Sequence, residues 1–384
     1  VVIIIKSTSE FKIKGYPILD FPLLTWSTDN DILGIEAGML FKEGHEFLTY
    51  ECLKRGRVKS KKTWDTYAKH LVSFFTFCED NDQDWRDIED DGIHEMLLAV
   101  YRDSCQEDFD LGVNSTNQHL RTIVRFYRHA VGRGWVNSLP YSLEDVKANQ
   151  NEHSFLAHTV TDGGKTPSVD IMLKPKKIPI KFLQVEETKK LLNAIKNPTL
   201  KLMTRLCLQT GIRKKEVLLF PLDAIRKPRA GELLCRVDID RTKGEHERSI
   251  DIPPRLMEDL WRYVNTTRFQ QKEDSGVKSD YLFLTSTGEK WEADGDGFNK
   301  ALKALKLPFK VTPHKLRHTY ATHMLKGLLK AESLKFSPLL YIQNRLGHSS
   351  LTTTMKYLHL VNDLLDDVSI EWQDAINELE AEAA

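Results

Sequence analysis

Four clusters in the second half of the chain have residue types and spacings that could do chemistry. The densest is Thr312-Pro313-His314-Lys315-Leu316-Arg317-His318. Thr312 is a good N-cap and Pro313 a good first helical residue, so a helix is predicted to start here. His314, Arg317 and His318 then share a face of its first turns, where the helix dipole favours an anion. A histidine pair at i, i+4 could also suggest zinc. No glutamate stands in the H-E-x-x-H position and no third ligand follows, so no metal is expected. The second cluster runs from Leu346-Gly347-His348 through Ser349 and Ser350 to Tyr357. Gly347 suits the end of one helix, and either serine can cap the next, which carries Tyr357. The third is Thr210-Gly211-Ile212-Arg213-Lys214-Lys215-Glu216, where a glycine break ends one helix and Arg213 opens another. The fourth is Lys243, within Thr242-Lys243-Gly244-Glu245-His246-Glu247-Arg248. Each alone has a plain alternative. Arg213 and Glu216 could be an exposed i, i+3 pair worth a few tenths of a kcal/mol, Tyr357 could simply pack, and lysines are common in turns.

The elements that must position these residues follow from periodicity. A domain is predicted to begin near Phe182, with helices at about 185–196, 199–209 and 213–220. Leu233 to Asp240 and Arg248 to Ile252 read as a β-hairpin with Lys243 at its turn. Helices return at about 254–270, 295–306, 313–330, 338–345 and 351–358. Upstream, residues 41–136 read as a compact helical domain of about four helices. Leu120, Ile123, Val124 and Tyr127 form the apolar stripe of one helix, which also carries Arg121, Arg125 and Arg128 at i, i+4 and i+7. Residues 1–40 form an extension expected to be strand-rich, and 137–180 a Pro- and Gly-punctuated linker. The tail 361–384 has Leu365, Val368, Trp372, Ile376 and Leu379 at helical spacing. The fold class expected is mainly α with a small β-sheet.

Bulk composition excludes several classes. The chain has 384 residues, with 41% hydrophobic and 29% charged, as in an ordinary folded protein. Its apolar opening, Val1 to Ile5, is too short to span a bilayer and reads as a strand. Five widely separated cysteines, never C-x-x-C, make a disulfide framework or zinc ribbon unlikely and fit a reducing cytoplasm. The 55 basic and 55 acidic residues cancel, yet they are sorted along the chain. Seven bases, among them Lys59, Lys61 and Lys62, face two acids over residues 51–72. Thirteen acids then crowd residues 79–110, before the arginine helix. Lys174, Lys176, Lys177 and Lys181 add another basic cluster, and the tail after residue 360 holds eight acids and no base. Charge runs are often only solvated faces. Basic elements separated by an acidic one also suit a polyanion, with acids on the surface turned away from phosphate.

Taken in order, the clusters T-G-I-R-K-K-E, T-K-G-x-x-E-R, H-K-L-R-H and L-G-H-x-x-x-x-T-T-x-x-Y resemble the tyrosine recombinase (phage-type integrase) family over roughly residues 180–360. By that resemblance Arg213, Lys243, His314, Arg317, His348 and Tyr357 are the catalytic residues, with Glu216 bracing the site. Residues 41–136 would be the helical core DNA-binding domain and 181–360 the catalytic domain, joined in a C-shaped clamp. Lys59, Lys61, Lys62, Arg121, Arg125, Arg128, Lys174, Lys176 and Lys177 are the tentative DNA contacts. The activity implied is site-specific cleavage and rejoining of double-stranded DNA through a 3′-phosphotyrosyl intermediate. Tyr357 would attack with His314 accepting its proton, and Lys243 would protonate the leaving 5′-hydroxyl. No cofactor is implied.

The partners implied are recombination sites, three further copies of the chain in a synaptic tetramer, and a directionality factor. The tail would pack in cis or on a neighbouring protomer. Two features depart from compact members: the stretch from Lys326 to Pro338 is longer, and residues 1–40 have no clear counterpart. The second could be a DNA-binding arm or decoration. Together they favour the integrase or transposase of a mobile element over a chromosome or plasmid dimer resolvase. Telomere resolvases and type IB topoisomerases share the chemistry, and a DNA-binding regulator would require a lost catalytic residue.

Overall fold

The computed structural model describes residues 1–27, 36–58, 60–88, 96–147, 165–176, 179–239, 248–331, 336–348 and 350–363. The chain divides into two units, Val1–Lys177 and Ile178–Ala384.

The first unit opens on the β-branched run β1 (Val2–Lys6). A small pair, β2 (Lys12–Ile13) and β3 (Tyr16–Pro17), leads to β4 (Pro22–Trp26). β1 and β4 are antiparallel, with Val2 opposite Trp26. The strand character expected of residues 1–40 is present, and their packing goes further. Val2, Phe21 and Leu24 lie in the same core as the helices α1 (Lys42–Leu48), α2 (Lys61–Asp80), α3 (Leu97–Glu107) and α4 (Val113–Arg133). Aromatic edges stitch this core, as where Phe41 meets Phe75 at 4.5 Å. The apolar stripe expected on α4 is buried, and Arg121, Arg125 and Arg128 stand exposed on another face.

The expected linker contains regular structure that the sequence did not suggest. β5 (Leu143–Lys147) pairs antiparallel with β6 (Lys165–Val169), Leu143 opposite Val169. Two acids in one strand and Pro167 in the other weaken the strand signal that Val146, Thr166 and Val169 would give. Beyond it the chain returns to α4. Asn117 Nδ2 donates to Leu173 O at 2.8 Å and its Oδ1 accepts from Leu173 N at 3.0 Å, while Asn114 Nδ2 donates to Lys176 O at 3.0 Å.

The second unit is built on α5 (Val185–Ala194), α6 (Pro198–Thr210) and α7 (Lys214–Leu218). The expected hairpin follows as β7 (Cys235–Ile239) and β8 (Arg248–Ile252), Ile239 opposite Arg248. The single helix expected at 254–270 is α8 (Pro254–Tyr263), a π-turn over Val264–Arg268, and α9 (Phe269–Ser275). Then come α10 (Gly297–Lys303), α11 (Pro313–Leu329), α12 (Pro338–Leu346) and α13 (Leu351–Asp363). One core joins α5 to α8, the hairpin and α10. A second holds α11, α12 and α13 through Tyr320, Leu325, Ile342, Leu346, Tyr357 and Val361. Residues 364–384, which carry the apolar stripe of the tail, lie outside the described residues. Among the described residues no helix is long and apolar enough to cross a membrane.

Candidate active site

Three helix ends of the second unit converge on one buried cluster of charge. α6 stops at Gly211, whose φ of +66° is left-handed. A Cβ there would also run into the Tyr320 ring, so glycine is required twice over. α12 stops the same way at Gly347, φ +61°, with the Arg248 side chain 3.0 Å from where a Cβ would stand. α11 begins as the sequence predicts: Thr312 Oγ1 accepts from Lys315 N at 3.1 Å and Pro313 takes the first turn.

These ends aim carbonyls at the two arginines. Arg317, 4% exposed, donates from Nη1 to Gly211 O at 2.7 Å and from Nη2 to Leu346 O at 2.5 Å. Arg213 donates from Nη2 to Gly347 O at 2.7 Å and from Nη1 to Glu216 Oε1 at 3.0 Å. Glu216 also accepts the Arg213 backbone N–H at 2.8 Å, which makes it the brace of α7's first turn. The exposed-pair alternative for Arg213 and Glu216 therefore fails, because the Glu216 side chain is 1% exposed.

Its principal partner was not expected from the sequence. Arg248, the first residue of β8, donates from Nη1 and Nη2 to the two oxygens of Glu216 at 2.7 and 2.6 Å. Such a bidentate fork is the strongest arrangement available to the pair. Burial alone would raise the Glu216 pKa. The hydrogen bonds and charge of Arg248, with help from Arg213, outweigh it and hold the carboxyl at about 2. Arg248 ends the T-K-G-x-x-E-R stretch, so an arginine at a strand start facing the glycine break was the one available signal. Neighbouring β8, Arg345 of α12 pairs with Asp251 and donates to Ser249 O at 3.2 Å, fixing the helix that leads into His348. Burial, reinforced by Arg213 and Arg248, lowers the Arg317 guanidinium to about 9, still protonated at neutral pH.

Tyr357 enters this cluster from α13. Thr354, Tyr357 and Val361 form the buried stripe of that helix, and Tyr357 is 2% exposed. Its ring lies parallel to that of His348, centroids 6.2 Å apart. His348 Nδ1 and Thr354 Oγ1 are 2.9 Å apart, and burial followed by Arg317 and Arg213 lowers the His348 pKa to about 4. Burial raises the Tyr357 phenol, and Arg317 opposes it. The sequence points to His314 as the neighbour of this hydroxyl, and the described residues place a different histidine there. The hydroxyl's hydrogen-bond partner is His318 Nδ1, at 2.7 Å. One turn earlier, exposed His314 meets the His318 ring edge-on, centroids 4.1 Å apart.

The structure thus brings together Arg213, Glu216, His314, Arg317, His348 and Tyr357, and adds Arg248 and His318. Lys243, in the connection between β7 and β8, lies outside the described residues. The tentative DNA contacts sort differently. Arg121, Arg125, Arg128, Lys62, Lys174 and Lys176 are exposed on the first unit. Lys61 is ion-paired with Asp20 at 2.9 Å, Arg125 bonds the Tyr67 hydroxyl, and Arg128 Nε donates to Tyr141 Oη at 2.9 Å. Lys59 and Lys177 lie outside the described residues.

The second unit thus gathers at its helix ends a buried arginine and tyrosine, Arg317 and Tyr357, with half-buried Arg213, His318 and His348 around them. Residues 181–363 match the phage integrase family, whose tyrosine recombinases this region resembles. The chain is similar to the tyrosine recombinase XerD of Oceanobacillus iheyensis, 28% identical over 338 residues that cover 84% of this chain and 95% of the relative. It is also similar to XerC of Halalkalibacterium halodurans, 27% identical over 264 residues, 66% of this chain and 74% of that one. Among solved structures its fold resembles the XerH site-specific recombinase bound to palindromic difH substrate in a post-cleavage complex. The TM-score is 0.54 at 18% identity, covering 83% of this chain and 82% of that one.

Proposed function

We propose that the chain cleaves and rejoins double-stranded DNA at specific sites through a 3′-phosphotyrosyl bond to Tyr357. The observation that carries this reading is a buried phenol within the field of Arg317, whose guanidinium, like that of Arg213, is already fixed by main-chain carbonyls. A phosphodiester needs a nucleophile, a clamp for charge developing on its non-bridging oxygens, and a proton for the departing oxygen. Tyr357 supplies the first, Arg213 and Arg317 the second, with His348 adding a hydrogen bond. Lys243 is assigned the third. The new phosphorus–tyrosine bond replaces the one broken, so rejoining needs no energy source.

The first unit supplies the duplex contacts in this reading. Asn114 and Asn117, which hold the segment carrying Lys174 and Lys176, lie on the same helical stripe as Arg121, Arg125 and Arg128. One basic surface results. Changing all three arginines to alanine should weaken DNA binding uniformly across sequences. The slope of log K against log salt should fall by roughly 2 to 3. An unchanged slope removes the stripe from the interface.

Two biological roles share this chemistry. The longer N-terminal and inter-motif segments favour the integrase or transposase of a mobile element. The XerD relative, covered over 95% of its length, favours dimer resolution as the second reading. Both place two DNA sites in a tetramer of the chain. Mapping trapped covalent adducts across a genome tests all of this at once. Adducts at the ends of an element support the first role, and a single chromosomal locus supports the second. The recovered sites then enter a two-site recombination assay with the synaptic mass measured. Supercoil relaxation without strand exchange would overturn the recombinase reading.

A further inference from the structure

We infer that His318 takes the proton of the Tyr357 hydroxyl as it attacks, an inference that rests on the reading of Tyr357 as nucleophile. Nδ1 of His318 lies 2.7 Å from Tyr357 Oη and is the one hydrogen-bond partner the described residues give that hydroxyl. With the His318 ring carrying its proton on Nε2, the phenol donates and Nδ1 accepts. A donor and acceptor already within this distance satisfy the geometric requirement for general base catalysis. His314, in contrast, meets the ring of His318 edge-on, centroids 4.1 Å apart. The two histidines lie one turn apart on α11, so the helix that delivers His314 delivers His318 alongside it.

The surroundings keep this acceptor available. Burial first, then His314, Arg317, His348 and Lys356, depress the protonated form of His318. Before an anion binds, the ring is neutral and its Nδ1 can accept the phenol proton. A phosphodiester anion held at the arginines offsets the charge of Arg317 and so raises the basicity of His318 when the base is required. Tyr357 needs such help, because burial makes its phenol harder to ionise.

The step balances within the site and its substrate. The Oη–H bond breaks and the proton moves to Nδ1 of His318. Oη forms a bond to phosphorus, the phosphorus–O5′ bond breaks, and its electron pair leaves on O5′. That oxygen is protonated by a separate donor, an ammonium or water. On rejoining, the 5′-hydroxyl attacks and His318 returns its proton to Oη.

The test uses the full chain and a nicked duplex carrying the site recovered by adduct mapping. Two variants are compared with the parent for adduct formation, DNA binding and melting midpoint. His318→Ala removes the acceptor. His318→Asn keeps an oxygen near the Nδ1 position but cannot take a proton, and it also serves if the alanine variant does not fold. Both should form adduct about 10²-fold or more slowly, with unchanged binding. A substrate with sulfur at the 5′-bridging position, whose leaving thiolate needs no proton, should leave both equally slow. Wild-type rates in either variant, rescue by asparagine alone, or rescue by the sulfur substrate would each overturn the assignment. Tyr357→Phe is the control: adduct formation by that variant sinks the nucleophile reading itself. An inactive Tyr357→Phe beside a fully active His318→Ala sinks only the role of His318.

Discussion

Tyr357→Phe is expected to bind recombination-site DNA within about twofold of the parent chain and to form no detectable covalent adduct. The rate loss is on the order of 10⁴-fold or more, as for removal of an enzyme nucleophile. The substitution deletes one oxygen and leaves the ring in the cluster formed by Tyr320, Leu325, Ile342, Leu346 and Val361. His318 Nδ1 loses its donor, which costs about 1 kcal/mol of stability and leaves the fold intact. Because Arg213 and Arg317 take their positions from backbone carbonyls and Glu216, the phosphate clamp survives the change. An SDS-resistant adduct assay on nicked DNA, paired with a gel-shift titration, reads both outcomes. Equal adduct in the variant assigns the nucleophile elsewhere.

The second large effect concerns stability. Glu216→Ala leaves Arg248 buried with its charge uncompensated, and the expected cost is about 3–5 kcal/mol. Replacing both partners, Glu216→Leu with Arg248→Met, removes the uncompensated charge and should recover most of that loss. Recombination should not recover, because Arg213 has lost the carboxylate that holds it. Denaturant unfolding of the three proteins beside adduct assays separates the two effects; an active double variant would show that Arg213 needs no brace. The pH dependence has a fixed sign. Glu216 is depressed to about 2 in the fold against about 4.3 in the unfolded chain. Its contribution is therefore complete above about pH 4.5 and is lost as the pH falls toward 2.

Much of the second unit was legible because its signals are local. Thr312 before Pro313 marked the start of α11, and glycines at 211 and 347 marked two helix ends that are left-handed in the fold. The order of arginine, histidine and tyrosine clusters carried the family. What escaped depends on contacts between distant residues. Arg248 looked like any arginine on a hairpin strand, since nothing local says that Glu216, 32 residues away, lies across from it. His314 and His318 are equally good neighbours for a tyrosine by helical spacing. Only the packing of α13 on α11 selects His318. Residues 1–40 had readable strands, but Val2, Phe21 and Leu24 reveal their place in the helical core only once folded. In the hairpin of β5 and β6 two acids and Pro167 masked the β-branched residues.

The carbonyls of Gly211, Leu346 and Gly347 have a consequence for how substrate is met. Each belongs to the end of a helix, so Arg317 ties α6 to α12 and Arg213 ties α7 to the same place. Long side chains that would otherwise lose rotational freedom on gripping a phosphate have already lost it in folding. That entropy is charged to the stability of the unit, and the encounter with DNA is relieved of it. In the proposed reaction the arginines would be at once the tie-rods of the domain and its substrate grip, so a lysine at either place would weaken the architecture and the chemistry together.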